Sequence, residues 1–314
     1  MITRRLRKRA GKLYGMVGQK VAVETGPGWV SYRKPRSVIL RTDSSSLQCG
    51  IYLRGACDVP SMFALPSMVV ESFHGTLGIH ASGSGVAWAR SDLLLQTYEG
   101  VSSGRLADLL NDFDLPPKYF DPSLFEPQFT VSDLPIGTIT LPKSVVVLSV
   151  LPDISRTIYR HRRTGILIDP GSAWLRTSGT GSLKPGVLSR FKESFTSQGR
   201  ISPEGFAENL TRLVPLIRRR TGAQVLVFNS LEIDPGDLTF DYSLRNLDSA
   251  SRRRRFNILL QELRPDLGFH IIDVDQILKD AGISKQVDFS HFPIEQMRAI
   301  AAGALRTLHG LEIL

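Results

Sequence analysis

Ser144-Val145-Val146-Val147-Leu148-Ser149-Val150-Leu151, followed at once by Pro152-Asp153, sets the fold class of this chain. β-branched residues dominate the run, and no polar residue recurs at every second position. Such a run suits a strand covered on both faces, as the central strands of a parallel sheet are. Pro152 removes a backbone N–H and ends it.

Downstream, elements of two kinds alternate. Ser202-Pro203-Glu204 reads as a helix start with proline at the first helical position, and Phe206, Leu210, Leu213, Val214 and Ile217 follow at helical spacing. Gln224 to Asn229 reads as the next strand, and Ser249 to Leu263 as a helix with a basic face at Arg252 to Arg255. Phe269 to Val274 is the expected last strand, and Ile294 to Leu308 the closing helix. Strand–helix alternation with short turns predicts an α/β fold, a three-layer, mostly parallel sheet with helices on both faces.

Upstream, Ser37-Val38-Ile39-Leu40-Arg41 reads as the first core strand, ending in Thr42-Asp43-Ser44-Ser45-Ser46. A helix is expected from Leu47 to Leu53, strands at Ser67 to Phe73 and Thr76 to His80, and helices at Val86 to Gln96 and Gly104 to Asp112. Gln19 to Val23 and Trp29 to Tyr32 are short extended pieces. The expected organisation is a basic N-terminal arm and lead-in over 1–34, then one α/β domain over 35–314. Long excursions are expected near 115–142, which is proline-rich, and 154–200, which is rich in arginine and glycine.

Composition narrows the class. A chain of 314 residues with 42% hydrophobic and 22% charged residues has material for a sizeable core, which argues against global disorder. Cys49 and Cys57 are the two cysteines; they fit no CxxC or zinc spacing and no disulfide framework, so a reducing, cytoplasmic compartment is expected. No apolar run reaches the roughly 18 residues of a membrane span, and no apolar stretch of a secretory signal follows the basic start. The net charge is +9, but seven bases between Arg4 and Lys20 precede the first acid, Glu24. The remainder carries 32 bases against 30 acids. The basicity therefore belongs to the arm, which suits contact with an anionic surface, a solubilising tail or the first turn of a docked helix. No recognised nucleic-acid module accompanies it, so a nucleic-acid partner is not expected. No metal or organic cofactor is implied.

Several residues carry candidate chemistry. Asp288-Phe289-Ser290-His291-Phe292-Pro293 stands immediately before the closing helix. A helix N-terminus keeps an acid ionised, and an acid beside an imidazole holds its tautomer for general-base work. Alternatively, Asp288 or Ser290 caps the helix and His291 is a surface residue. Ser44, just past the first strand, is a candidate nucleophile, with Ser45 and Cys49 close by. Gly83 and Gly85 offer bare backbone N–H groups to an oxyanion, although no complete phosphate loop is present. Asp153 closes the strongest strand. Beyond it Tyr159, Arg160, His161, Arg162 and Arg163 suit an anionic or sugar-like ligand, or form a solvated charge run.

Together these residues resemble the SGNH/GDSL hydrolase superfamily from Ser37 to the C-terminus. The resemblance implies a flavodoxin-like fold with Ser44 as nucleophile, His291 as base and Asp288 as its orienting acid. Gly83 or Gly85 would stand at the oxyanion position. Thr42 stands where the family's Gly-Asp-Ser motif has glycine. Pro152 stands where the Gly-x-Asn-Asp motif has its oxyanion asparagine, with Asp153 kept. Loss of one such donor typically costs about 100- to 1000-fold in rate. The expected function is a serine esterase or O-acyltransferase acting on a small-molecule or carbohydrate-linked acyl ester. The alternative is a catalytically degenerate binding or scaffolding protein on the same fold.

Overall fold

The computed structural model describes residues 23–26, 29–32, 37–42, 48–55, 58–59, 77–82, 90–100, 103–112, 143–169, 186–232, 247–282, 292 and 294–313. The expectations for 1–20, 67–73 and 115–142 lie outside these residues.

A first hairpin joins β1 (Val23–Gly26) to β2 (Trp29–Tyr32). There follow β3 (Ser37–Thr42), β4 (Gln48–Arg54), β5 (Leu77–Ser82), α1 (Ser91–Glu99) and α2 (Ser103–Asp112). After β6 (Lys143–Ser149) come α3 (Leu151–Ser155), β7 (Ile158–His161), β8 (Leu167–Ile168), α4 (Val187–Ser194) and β9 (Phe195–Gly199). The chain closes with α5 (Pro203–Thr221), β10 (Gln224–Phe228), α6 (Leu247–Leu267), β11 (His270–Ile272), α7 (Val274–Asp280) and α8 (Ile294–Gly310).

The main sheet has the order β11-β10-β6-β4-β3-β5. β11, β10, β6 and β4 are mutually parallel, while β3 runs antiparallel to both of its neighbours. The fold is therefore α/β, with a four-stranded parallel sheet covered on both sides. Side-chain alternation sorts the two covers. Ile51, Leu53, Val145, Val147, Leu226 and Phe228 pack with α7 and α8. Tyr52, Val146, Leu148, Val225 and Val227 pack with α1, α5 and α6. α5 begins as its sequence predicts, with the Ser202 hydroxyl accepting from the Gly205 N–H at 3.1 Å and Pro203 in the first turn. It ends at Gly222, whose φ of 69° lies in the left-handed region.

Two expectations are corrected. The helix expected over Leu47 to Leu53 is instead a strand: Gln48–Arg54 is β4, first of the four parallel strands from the β3 side and paired with β6 through six residues. Short apolar runs do not distinguish a buried strand from a buried helix, and burial against β6 decides here. Ser37–Arg41 is a strand but does not open the parallel set. Only residues 43–47 separate β3 from β4, whereas a parallel crossover needs about a dozen residues or more. Within the 154–200 excursion β7, β8 and β9 form a second, antiparallel sheet of order β8-β7-β9. Among the described residues no helix is long and apolar enough to cross a membrane.

Candidate active site at the carboxyl ends of the parallel strands

From β4 the chain passes to β5 on one flank, then returns to β6 on the other. In open α/β sheets a ligand crevice forms where the winding reverses, outside the carboxyl ends of the strands. Here that place is the gap between the ends of β4 and β6. It is closed by one buried hydrogen bond, in which the Ser149 hydroxyl donates to Asp58 Oδ2 at 2.6 Å. The Leu151 N–H donates to the same hydroxyl oxygen at 3.1 Å, which directs its proton to the carboxylate. Gly55 makes the approach possible. A Cβ there would stand 2.7 Å from Ser149 Cβ and 2.8 Å from Val59 Cγ2, closer than side chains pack.

Asp58 also faces a small cavity of about 10 Å³, shared with Phe228, Asn229, Arg253, Val274 and Phe292. Arg253 is fully buried and donates from Nη1 to the Leu231 carbonyl at 3.0 Å. The segment after β10 is fixed by amides. Asn229 Nδ2 donates to Asp273 Oδ1 at 2.7 Å, and its Oδ1 accepts from the Asp275 N–H at 3.2 Å. Asn257 accepts from the Ser230 N–H and donates to the Ser230 carbonyl. Burial raises the Asp275 carboxyl above its ordinary value, against the lowering effect of Lys279.

Asp153 is turned away from this crevice. Its Oδ1 accepts from the Ser91 N–H at 3.0 Å and the Ser91 hydroxyl at 2.5 Å, and Asn209 Nδ2 donates to that hydroxyl at 3.0 Å. It therefore joins α3 to α1 and α5. Complete burial outweighs these hydrogen bonds and pushes the Asp153 carboxyl up to about 7. Pro152, also buried, lies in the first turn of α3 and has no N–H to offer.

Tyr159, His161 and Arg162 do not converge on one ligand position. His161 is buried, with its ring 4.9 Å from that of Phe195 and Nδ1 2.8 Å from the Thr164 hydroxyl. Burial lowers its pKa, helped by Arg163. Tyr159 packs edge-on to Phe191 at 5.2 Å. Arg160 and Arg162 are exposed. On β7 Arg160 is exposed and the adjacent His161 is buried, so a run that looks like one basic cluster divides between two faces.

Ser44, Gly83, Gly85, Asp288 and His291 lie outside the described residues; the described residues nearest to them in the chain are Thr42, Ser82, Gly282 and Phe292. Thr42 ends β3 at the edge where β4 and β6 begin, since Thr42 pairs with Leu77 while Arg41 pairs with Gln48. Phe292 sits at the opposite edge, beside Phe228 and Val274. The seven residues of β4 separate the two edges by roughly 20 Å at about 3.3 Å per residue. Cys49 belongs to the same distant edge, paired with Leu40 and Lys143. Ser82, by contrast, ends β5 at the carboxyl edge, one residue before Gly83.

Gly55, Asp58 and Ser149 were not singled out from sequence. Their signal was a glycine just after a compact apolar strand with an acid three residues on, hidden once that strand was read as a helix. Cys57, between Gly55 and Asp58 in the chain, lies outside the described residues. Among the described residues no group of three or more His, Cys, Asp or Glu side chains gathers as a metal site would. No protein-family model matches the chain, and no curated protein matches it at significance.

Proposed function

We propose that the chain is an acyl-transfer enzyme of SGNH-like, flavodoxin-like architecture, with Cys57 rather than Ser44 as nucleophile. Asp58, which follows Cys57, and Phe292, which follows His291, line the same small cavity, and this observation carries the reading. The strand order supports it. Taken as strands one, three, four and five, β4, β6, β10 and β11 follow the flavodoxin-like order, with β5 as strand two beyond the interposed β3. On that count Gly55-Ala56-Cys57 occupies the place of Gly-Asp-Ser, with the glycine kept.

The chemistry follows a Cys–His pair. His291 takes the thiol proton, with Asp288 holding the imidazole, and the sulfur attacks the ester carbonyl carbon. Collapse of the tetrahedral intermediate breaks the ester C–O bond, and the leaving alcohol takes its proton from the imidazolium. Water or a sugar hydroxyl then gives its proton to His291 and takes the acyl group from sulfur, which restores the thiol. Gly83 or Gly85, next to the end of β5, would supply oxyanion N–H groups. Carbohydrate-linked acetyl esters remain the substrate class to try first.

The test is acylation followed by intact mass. With p-nitrophenyl acetate, one acetyl group should accumulate on the wild type and disappear in Cys57→Ala, while Ser44→Ala should acylate normally. Acetylation that survives Cys57→Ala and disappears in Ser44→Ala would refute the assignment. A second reading, a binding protein with a degenerate site, draws support from Pro152 in the place of a donor. Folded wild type that never acylates would favour it.

A further inference from the structure

α3 is a single turn in which Leu151, Pro152, Asp153 and Ile154 are all buried. Its start belongs to the crevice. The Leu151 N–H donates to the Ser149 hydroxyl at 3.1 Å, and that hydroxyl donates to Asp58 at 2.6 Å. Its middle is tied to another part of the fold. Asp153 Oδ1 accepts from the Ser91 N–H at 3.0 Å and the Ser91 hydroxyl at 2.5 Å, and Asn209 Nδ2 donates to that hydroxyl at 3.0 Å. We propose that α3 is a proton-controlled latch: neutral Asp153 on Ser91 keeps Leu151 on Ser149, and ionised Asp153 releases it.

The geometry of the cluster carries the inference. Both donors to the Asp153 carboxyl come from Ser91, are neutral, and use Oδ1. The charged groups around it bond elsewhere. Arg90, at the start of α1, grips Asp92 from Nε at 3.0 Å and Nη2 at 2.5 Å, and gives Nη1 to the carbonyls of Arg156 and Gly199. Arg252, on α6, donates to the backbone carbonyls of Asp153, Ile154 and Ile201. Arg156, just beyond α3, is paired with Asp169. α5 presents the neutral Asn209. Among the described residues no cation therefore bonds the Asp153 carboxyl, and a buried carboxyl without one favours its neutral form. Burial accordingly pushes it up to about 7, with the Asp92 charge adding to the effect. Ionisation leaves a desolvated charge that faces Asp92, and a shift that lets water reach Oδ2 relieves it. Arg252 and Arg90 pin the carbonyls of Asp153, Ile154 and Arg156 in either protonation state. The start of the turn is held more lightly, because Pro152 has no N–H to donate. A single turn is too short to absorb the shift, so the displacement falls on Leu151 and its bond to Ser149.

Hydrogen exchange of the full chain, read amide by amide, tests the latch. After correction for the intrinsic rate, protection of the Leu151 amide should fall at least about tenfold from about pH 6 to about pH 8.5, the equivalent of one pKa unit. The amides of Leu213 and Leu260, inside α5 and α6, report opening of the whole fold and should fall less. Asp153→Asn keeps an acceptor for Ser91 and has no proton to lose, so its Leu151 amide should be equally protected at both pH values. Ser91→Ala removes one donor and should weaken protection of Leu151 already at the lower pH. Leu151 protection that is the same at both pH values in the wild type, or that falls no further than that of Leu260, would overturn the proposal. So would a pH-dependent loss in Asp153→Asn equal to that of the wild type, or full protection in Ser91→Ala at the lower pH. Exchange is read on the resting protein, so the result does not depend on Cys57.

Discussion

Ser149 at the end of β6 donates to Asp58 beyond the end of β4 at 2.6 Å, and both residues are buried. This bond joins the two strands across the point where the winding reverses, and it sits one residue from the proposed nucleophile. Ser149→Ala removes the donor and leaves a buried carboxylate less well satisfied, which should cost about 1–3 kcal/mol. Gly55→Ala should cost a similar ~1–3 kcal/mol by overpacking, because the new methyl meets Ser149 Cβ and Val59 Cγ2 inside contact distance. Urea unfolding midpoints at unchanged m-value would measure both.

The direction of β3 yields a kinetic prediction. In steady-state hydrolysis of p-nitrophenyl acetate, Ser44→Ala should retain wild-type kcat/KM, and so should Cys49→Ala. His291→Ala should lose about 100-fold or more, the usual worth of a general base. A large loss in Ser44→Ala with an intact fold would contradict the edge assignment.

Asp153 predicts a pH dependence of stability. Burial raises its carboxyl from 3.8 to about 7, so between those values the folded protein holds a proton that the unfolded chain has released. The contribution of this group to stability is greatest below 3.8 and is lost as pH rises towards 7. Asp153→Asn keeps an acceptor for Ser91 and removes the titration. Its unfolding free energy should be flatter across that window and should exceed that of the wild type at pH 8, by an amount on the order of 3 kcal/mol. Equal slopes for the two proteins would show that the carboxyl is ionised in the folded state.

Arg252 predicts a failure of conservative exchange. Its guanidinium donates to the carbonyls of Asp153, Ile154 and Ile201 and lies 5.1 Å from the centre of the Phe256 ring. A lysine ammonium does not reproduce that planar fork. Arg252→Lys should therefore lose about 2 kcal/mol or more in the same unfolding assay, close to the loss in Arg252→Ala.

Elements with a strong period were legible from residues alone. The cap Ser202-Pro203, the apolar spacing through Ile217 and the run Val145 to Leu148 all became the helix and strand they describe. β4 was not, because Cys49-Gly50-Ile51-Tyr52-Leu53 is too short for its period to separate strand from helix. The direction of β3 was available in principle from the five residues to β4, since a hairpin is what so short a connection permits. The partnership of Ser149 with Asp58 was beyond local reading, because 91 residues separate them. His161 and Arg160 are neighbours in the chain on opposite faces of β7, which a charge count does not reveal.

The pairing of β4 with β6 has a cost in time. Cys49 lies against Lys143, so that ladder forms only after a loop of roughly ninety residues has closed. The β10–β11 ladder closes over a span about half as long, Leu226 lying against His270, whereas β6 and β10 pair over nearly eighty residues, Val145 against Gln224. Contacts remote in sequence are the slow ones to form. On that ground β10 and β11 are expected to pair first and β4 with β6 last, which leaves the crevice between the ends of β4 and β6 to form late.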